Sequence, residues 1–151
     1  MRAPVLRTRI LGALSDVPAA QWDALHDGAH PFVAHAFLEG LESQGCLRAS
    51  YGWTPCHVAL FDGDDLVAAA PGYRKRNSHG EFVFDQSWAS AAMRAGFMYY
   101  PKLLVAVPFT PVTGPRFLFA NGVALRDAVA VLAAALEKTC RDGGFSSVHV
   151  T

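Results

Sequence analysis

A run of basic residues near the middle of the chain is the first place where side chains could do chemistry together. Arg74, Lys75 and Arg76 are consecutive, and His79 and Glu81 follow shortly after them. Such a cluster can hold a phosphate or a carboxylated substrate, with Glu81 or His79 as the proton acceptor. The alternative is that the run is solvated surface after a hairpin, which is the usual role of a charge run.

A second carboxylate, Asp85, lies at the end of a predicted strand and directly before a short predicted helix. A carboxylate at the C-terminal edge of a strand and close to Trp88 is well placed to bind an amine or to act as a base. The alternative role is that of a helix N-cap. Glu81 and Asp85 are therefore the candidate catalytic residues.

The run Tyr99-Tyr100-Pro101-Lys102 leads into an apolar strand at residues 102–107. A loop rich in proline and threonine, residues 108–116, follows this strand and precedes a long helix. Backbone N–H groups at such a junction favour an anion. The loop supplies a glycine for close approach, two hydroxyl donors and a fixed positive charge. The alternative is a rigid loop, because prolines remove N–H donors. The candidate anion-binding residues are Thr110, Thr113, Gly114 and Arg116.

The elements that position these residues follow from apolar periodicity and turn signals. The pattern predicts strands at residues 5–11, 57–61, 66–70, 81–85, 102–107 and 146–150, and helices near Trp22 and at residues 34–43, 88–95 and 125–141, with residues 73–79 as a polar link. This order predicts an α/β (α+β) domain with a mixed central sheet flanked by helices. A right-handed crossover through the long helix makes strands 102–107 and 146–150 parallel.

The composition narrows the functional class. The chain has 151 residues, 52% hydrophobic and 17% charged, with a formal net charge of zero. These values exclude a disordered chain and a basic nucleic-acid binder. The three cysteines and six histidines show no ligand spacing, so no metal site is expected. The sequence predicts no secretory signal and no membrane span, which indicates a cytoplasmic protein.

Four literal runs of sequence carry a family resemblance. They are residues 52–55, residues 79–85 with Trp88-Ala89, residues 99–103 and residues 107–116. Together they resemble the bacterial FemAB-like proteins of peptidoglycan biosynthesis, a group of GNAT-type N-acyltransferases. The resemblance implies a GNAT-like acyl-CoA N-acyltransferase fold and a protein of two such domains. We accordingly interpret residues 1–151 as one N-terminal domain, truncated after the final strand, whose apolar surface packs against a second domain or a second copy.

The resemblance also implies the reaction, the direct transfer of an acyl or aminoacyl group to an amine. Acyl-CoA or aminoacyl-tRNA would be the donor, and a peptidoglycan precursor the acceptor. The loop lacks the usual Gln/Arg-x-x-Gly-x-Gly/Ala signature for pyrophosphate. Its absence motivates an alternative, a non-catalytic binding domain of the same fold. A third interpretation is a structural fragment that only dimerises. The candidate substrate-binding residues are Arg74, Lys75, His79, Trp88, Tyr99, Tyr100 and Lys102.

Overall fold

A computed structural model describes residues 6–82 and 84–151 as a mixture of helices and strands. Short 3₁₀ turns lie at Leu14–Asp16, Pro31–Val33 and Ala49–Tyr51. The helices and strands, in chain order, are β1 Leu6–Leu11, α1 Ala19–Asp23, α2 His35–Ser43, β2 Trp53–Pro55, β3 His57–Asp62, β4 Asp65–Ala70, β5 Gly72–Lys75, α3 Gln86–Arg94, β6 Lys102–Val105, β7 Leu118–Phe119, α4 Leu125–Asp142 and β8 Val148–Val150.

The strands form two four-stranded sheets, ordered β1-β3-β4-β7 and β2-β5-β6-β8. A single residue, Cys56, separates β2 from β3, and Pro71 separates β4 from β5, so one bent hairpin contributes two strands to each sheet. At the bend the N–H of Cys56 donates to the carbonyl of Gly72 at 2.8 Å. A Cβ atom at Gly72 would lie 2.4 Å from the Cys56 carbonyl oxygen, so only glycine fits there.

The parallel pair predicted from the crossover is confirmed. Strand β6 pairs in parallel with β8, Leu104 lying opposite His149, and α4 connects them after β7. Successive side chains of a strand point to opposite faces. Leu103 and Val105 therefore pack against Leu132 of α4, whereas Leu104 packs on the other face in a separate buried cluster. The face that carries Leu104 is free of α4, and the candidate site lies there.

Several predicted elements differ from the structure. The single mixed sheet is two sheets, and residues 72–75 form β5 where a polar link was predicted. Residues 81, 82, 84 and 85 do not form the predicted strand, and Val83 lies outside the described residues. Phe84 has a φ of +49°, which is incompatible with an extended strand. The predicted short helix is confirmed as α3, although it begins at Gln86. None of the helices in the described part of the chain combines the length and apolar character that a membrane crossing requires.

The contact between α4 and the sheets gives a test of the core. Leu132 is fully buried, whereas the neighbouring Val131 on the same helix is 36% exposed. We expect Leu132→Ala to lower the free energy of unfolding by about 2–5 kcal/mol, because it removes buried methyl groups and leaves a cavity. Val131→Ala is the matched control and should change it much less. Urea unfolding monitored by circular dichroism measures both, and equal effects would contradict this packing.

Candidate functional site

Two buried lysines lie side by side on the face of the sheet opposite α4. Lys75 ends β5, Lys102 begins β6, and the register of the two strands places them directly opposite each other. Their exposed fractions are 0% and 1%. Like charges in directly opposite positions repel, and buried charges need partners. The chain between β5 and β6 supplies those partners.

Two carboxylates surround the amino group of Lys102. Its Nζ donates to Glu81 Oε2 at 2.8 Å and also to Asp85 Oδ2. Tyr99 Oη donates to the same Asp85 oxygen at 2.9 Å, and Tyr100 Oη approaches the other oxygen at 3.5 Å. Both oxygens of Asp85 are therefore engaged. We call these five residues the lysine–carboxylate cluster.

Lys75 is held by neutral groups. Its Nζ donates to Asn77 Oδ1 at 3.0 Å and to the carbonyl oxygen of His79 at 2.8 Å, and it lies 4.4 Å from the centre of a Trp53 ring. Burial lowers the pKa of Lys75 to about 8, although Glu81 acts in the opposite direction. Through its hydrogen bonds to Asn77 and His79, Lys75 fixes the loop that leads from β5 to Glu81.

The pKa values of the two carboxyl groups, Glu81 and Asp85, are shifted in opposite directions. Burial raises the pKa of Glu81, and the hydrogen bond and charge of Lys102 only partly oppose it. Burial also acts to raise the pKa of Asp85, but the hydrogen bonds that it accepts, led by that from Lys102, outweigh burial and lower it. Glu81 Oε1 is buried and has no hydrogen-bond partner among the described residues. Of the two carboxylates, Glu81 is therefore the better placed to accept a proton.

A cavity of about 330 Å³, which we call the site cavity, lies beside Glu81. It extends over the face of the sheet that carries Leu104 and reaches the ends of the parallel strands at Val107 and Thr151. Its walls are mainly apolar and aromatic. The other lining residues are Trp53, Gly80, Phe82, Ala106, Phe109, Thr110, Pro111, Val112, Thr113, Gly114 and Arg116.

The loop at the far end of the cavity is held by Arg116. The guanidinium donates to the carbonyls of Thr151, of Val112 at 2.6 Å, of Gly114 at 3.3 Å and of Pro115 at 3.4 Å. These bonds use four of its five N–H groups. Arg116 thus ties the loop to the residue that follows β8. Its predicted role in binding an anion stays a prediction, with one N–H left to serve it.

The structure brings most of the predicted site residues together. Glu81, Asp85, Tyr99, Tyr100 and Lys102 form the lysine–carboxylate cluster. Thr110, Thr113, Gly114 and Arg116 line the site cavity together with Glu81. The catalytic and binding roles of both groups stay predictions.

Four of the predicted residues lie elsewhere or act differently. Lys75, predicted to bind substrate, donates to Asn77 and to the His79 carbonyl and does not line the site cavity. Arg74 lines a separate groove, next to the C-terminal half of α4. Trp88 is 72% exposed on α3. His79 contributes its backbone carbonyl to Lys75. The basic run is therefore divided, because alternate residues of β5 point to opposite faces of the sheet.

Sequence reasoning missed three aromatic residues of the cavity, Trp53, Phe82 and Phe109. Trp53 and Phe109 are in contact with each other. Their ring centres lie 5.3 Å apart, and a Cβ atom on Gly80 would lie 2.8 Å from the Phe109 ring. Phe109 has a φ of +61°, a strained conformation for a bulky residue and one that clusters at functional sites. Trp53 could have been found from the Gly-Trp-Thr-Pro run that precedes the hairpin. The strain at Phe109 has no sequence signal.

Asp85 gives a pH-dependent test of the cluster. Because its pKa is lowered on folding, its stabilising effect is present above its ordinary pKa of 3.8 and is lost as the pH falls through the lower folded value. We expect Asp85→Asn to reduce the free energy of unfolding at pH 7 by about 2 kcal/mol, since a charged hydrogen bond to a buried lysine is lost. Asp142→Asn, which removes an exposed partner of Lys138, is the control and should have little effect. In urea unfolding from pH 7 to pH 2, the gap between wild type and Asp85→Asn should narrow, and a constant gap would contradict the assignment.

No group of three or more His, Cys, Asp or Glu residues suited to a metal ion occurs among residues 6–82 and 84–151.

A family model described as peptidoglycan biosynthesis/recognition, FemAB-like, matches residues 13–151. No curated protein and no solved structure matches the chain. The matched range includes the lysine–carboxylate cluster and all of the site cavity. The chain belongs to the FemAB-like family.

Proposed function

We propose that this chain transfers an acyl or aminoacyl group to an amine of a peptidoglycan precursor. The observation that carries the proposal is the free Oε1 of Glu81, a buried carboxylate oxygen with no partner in the described chain, on a residue that lines a cavity. A buried carboxylate with a raised pKa is a suitable acceptor for the proton that an attacking amine loses. The family membership supports the metabolic setting.

In the proposed reaction the amine nitrogen attacks the carbonyl carbon of a donor ester or thioester, and Glu81 Oε1 takes the proton that the nitrogen loses. The bond from the carbonyl carbon to the donor oxygen or sulfur then breaks, and the proton passes from Glu81 to that atom, which leaves as an alcohol or a thiol and returns Glu81 to its carboxylate form. Lys102 holds the other oxygen of Glu81 at 2.8 Å and so fixes the direction of Oε1. No covalent intermediate on the protein is needed.

Asp85 acts as a positioning residue in this proposal. Its oxygens bind Lys102 and the hydroxyls of Tyr99 and Tyr100, so it has no free oxygen to accept a proton. Its lowered pKa keeps it ionised, and the ionised carboxylate holds the Lys102 amino group in place. Glu81 and Asp85 therefore have separate roles, although both were candidate bases.

The strand order supports a GNAT-like fold. The bent hairpin links the two sheets, and its strands pair antiparallel with β1 on one side and with β6 on the other. Strand β6 then pairs in parallel with β8, and α4 lies between them in the chain. The site cavity lies at the carboxyl ends of that parallel pair, where ligands of open α/β sheets bind. Acyl-CoA and aminoacyl-tRNA are both proposed donors, each presenting its acyl end to the cavity beside Glu81.

One observation favours a second candidate function, recognition of a peptidoglycan precursor without transfer. The loop contains three prolines, which have no N–H group to donate. Arg116 donates four N–H groups to backbone carbonyls. The first residue of α4, Leu125, does not line the cavity. These features make phosphate binding by the loop less favourable. They do not affect the part of the site cavity beside Glu81, where the acceptor amine would bind.

The Glu81→Gln variant tests the transferase directly. Glutamine keeps the shape of the side chain and cannot accept the proton, so amide formation should fall by roughly 100-fold or more. Product is measured by mass spectrometry with acetyl-CoA or an alanyl-tRNA as donor and a peptidoglycan pentapeptide as acceptor. Glu137→Gln is the matched control, because Glu137 is an exposed residue of α4 and should leave turnover unchanged.

Binding measurements separate the two candidate functions. If the pentapeptide binds in calorimetry but neither donor binds or reacts, the recognition function is supported and transfer is contradicted. If product forms at the same rate in wild type and Glu81→Gln, the assignment of Glu81 as the base is wrong.

A further inference from the structure

We propose a second ligand site, on the opposite side of the sheet from Glu81, that binds a carboxylate carried on an apolar body. The site is a groove of about 570 Å³, which we call the rear groove. This volume lies within the range of small-molecule sites. Its walls are formed by β1, β2, β5, the C-terminal half of α4 and Phe145.

The half-buried charge in the rear groove comes from Arg74, since the two other charged residues that line the groove, Lys138 and Asp142, are exposed and pair with each other. Arg74 lies opposite Thr54 on one side and Leu103 on the other, and it shares the face of the sheet that packs against α4. Most of that face is apolar core. A half-buried guanidinium in such a place costs free energy unless a partner neutralises it.

The described residues supply no such partner at the buried nitrogen. Nε of Arg74 is inaccessible to water and has no hydrogen-bond partner there. The acidic residues at the end of α4 are occupied by the cations of the same helix. Asp142 pairs with Lys138, and Glu137 lies 3.8 Å from Arg141.

The orientation of the guanidinium suits a carboxylate. Arg74 lies over the ring of Phe145, 5.5 Å from its centre, and this contact restrains the plane of the fork. A restrained planar fork binds a carboxylate through two parallel hydrogen bonds. Ile10, Ala135 and Phe145 supply apolar wall beside it. The ligand class is therefore an amphiphilic carboxylate, with its charged group on Arg74 and its apolar body in the groove.

Calorimetry with decanoate and decan-1-ol, at the same chain length, tests the proposal at pH 7. We expect decanoate to bind at least tenfold more tightly than decan-1-ol, since only decanoate forms charge-assisted hydrogen bonds. Arg74→Met should remove that difference by weakening decanoate alone. Arg126→Gln removes the same charge from an exposed position on α4 and should change neither affinity. Equal binding of the two ligands, or unchanged decanoate binding in Arg74→Met, would overturn the proposal.

A second measurement locates the ligand without altering Arg74. Cys56 lines the rear groove and is partly buried, and burial raises the pKa of its thiol. Saturating decanoate should slow modification of Cys56 by a maleimide while exposed Cys46 continues to react, as read by peptide mass spectrometry. Unprotected Cys56 would contradict the site, even if Arg74→Met fails to fold. Glu81→Gln should bind decanoate like wild type, so that this proposal and the proposed transferase fail or succeed separately.

Discussion

The ionic contact between Lys102 and its two carboxylates constrains most of the structure around the site. Lys102 and Lys75 are buried next to each other because the register of β5 and β6 leaves them no other position. Removing one member of a buried ion pair leaves an uncompensated charge, at a cost of about 3–5 kcal/mol. Glu81 and Asp85 must therefore lie over the sheet so that both carboxylates reach Nζ. In that conformation Phe84 adopts a positive φ, and its side chain is 68% exposed.

This constraint leaves one carboxylate oxygen of the cluster, Glu81 Oε1, without a hydrogen-bond partner among the described residues. Lys102 and two tyrosines occupy both oxygens of Asp85, whereas Lys102 occupies only one oxygen of Glu81. The same burial that makes the cluster costly raises the pKa of Glu81. A site that combines one half-satisfied carboxylate with one fully satisfied carboxylate is a common way to separate a base from the residue that positions it. Because Glu81 lines the site cavity, the carboxylate proposed as the base lies next to the space where a substrate would bind.

Periodicity predicted the parts of the fold that depend on local pattern. The hairpin of β3 and β4, helix α4 and the parallel pairing of β6 with β8 were all accessible in this way, and the predicted catalytic pair does meet at Lys102. The strand predicted at residues 81–85 was wrong because Glu81 and Asp85 bind the buried Lys102 instead of taking part in a sheet, and Phe84 has a positive φ. The division of Arg74 from Lys75 could not be predicted either, since a basic run in a strand resembles a solvated link. Both errors depend on strand register, which pairs residues 27 positions apart, Lys75 with Lys102.

The central claim is that one lysine holds two carboxylates in different states. Nuclear magnetic resonance of side-chain carboxyl carbons, followed through a pH titration, measures both pKa values in the same sample. The account predicts that Glu81 titrates above its ordinary pKa of 4.5 and Asp85 below its ordinary pKa of 3.8. It also predicts that Lys102→Met raises both values, because the cation that favours the charged forms is lost. If the two carboxyls titrate at their ordinary values, or if Lys102→Met leaves both unchanged, the account is wrong.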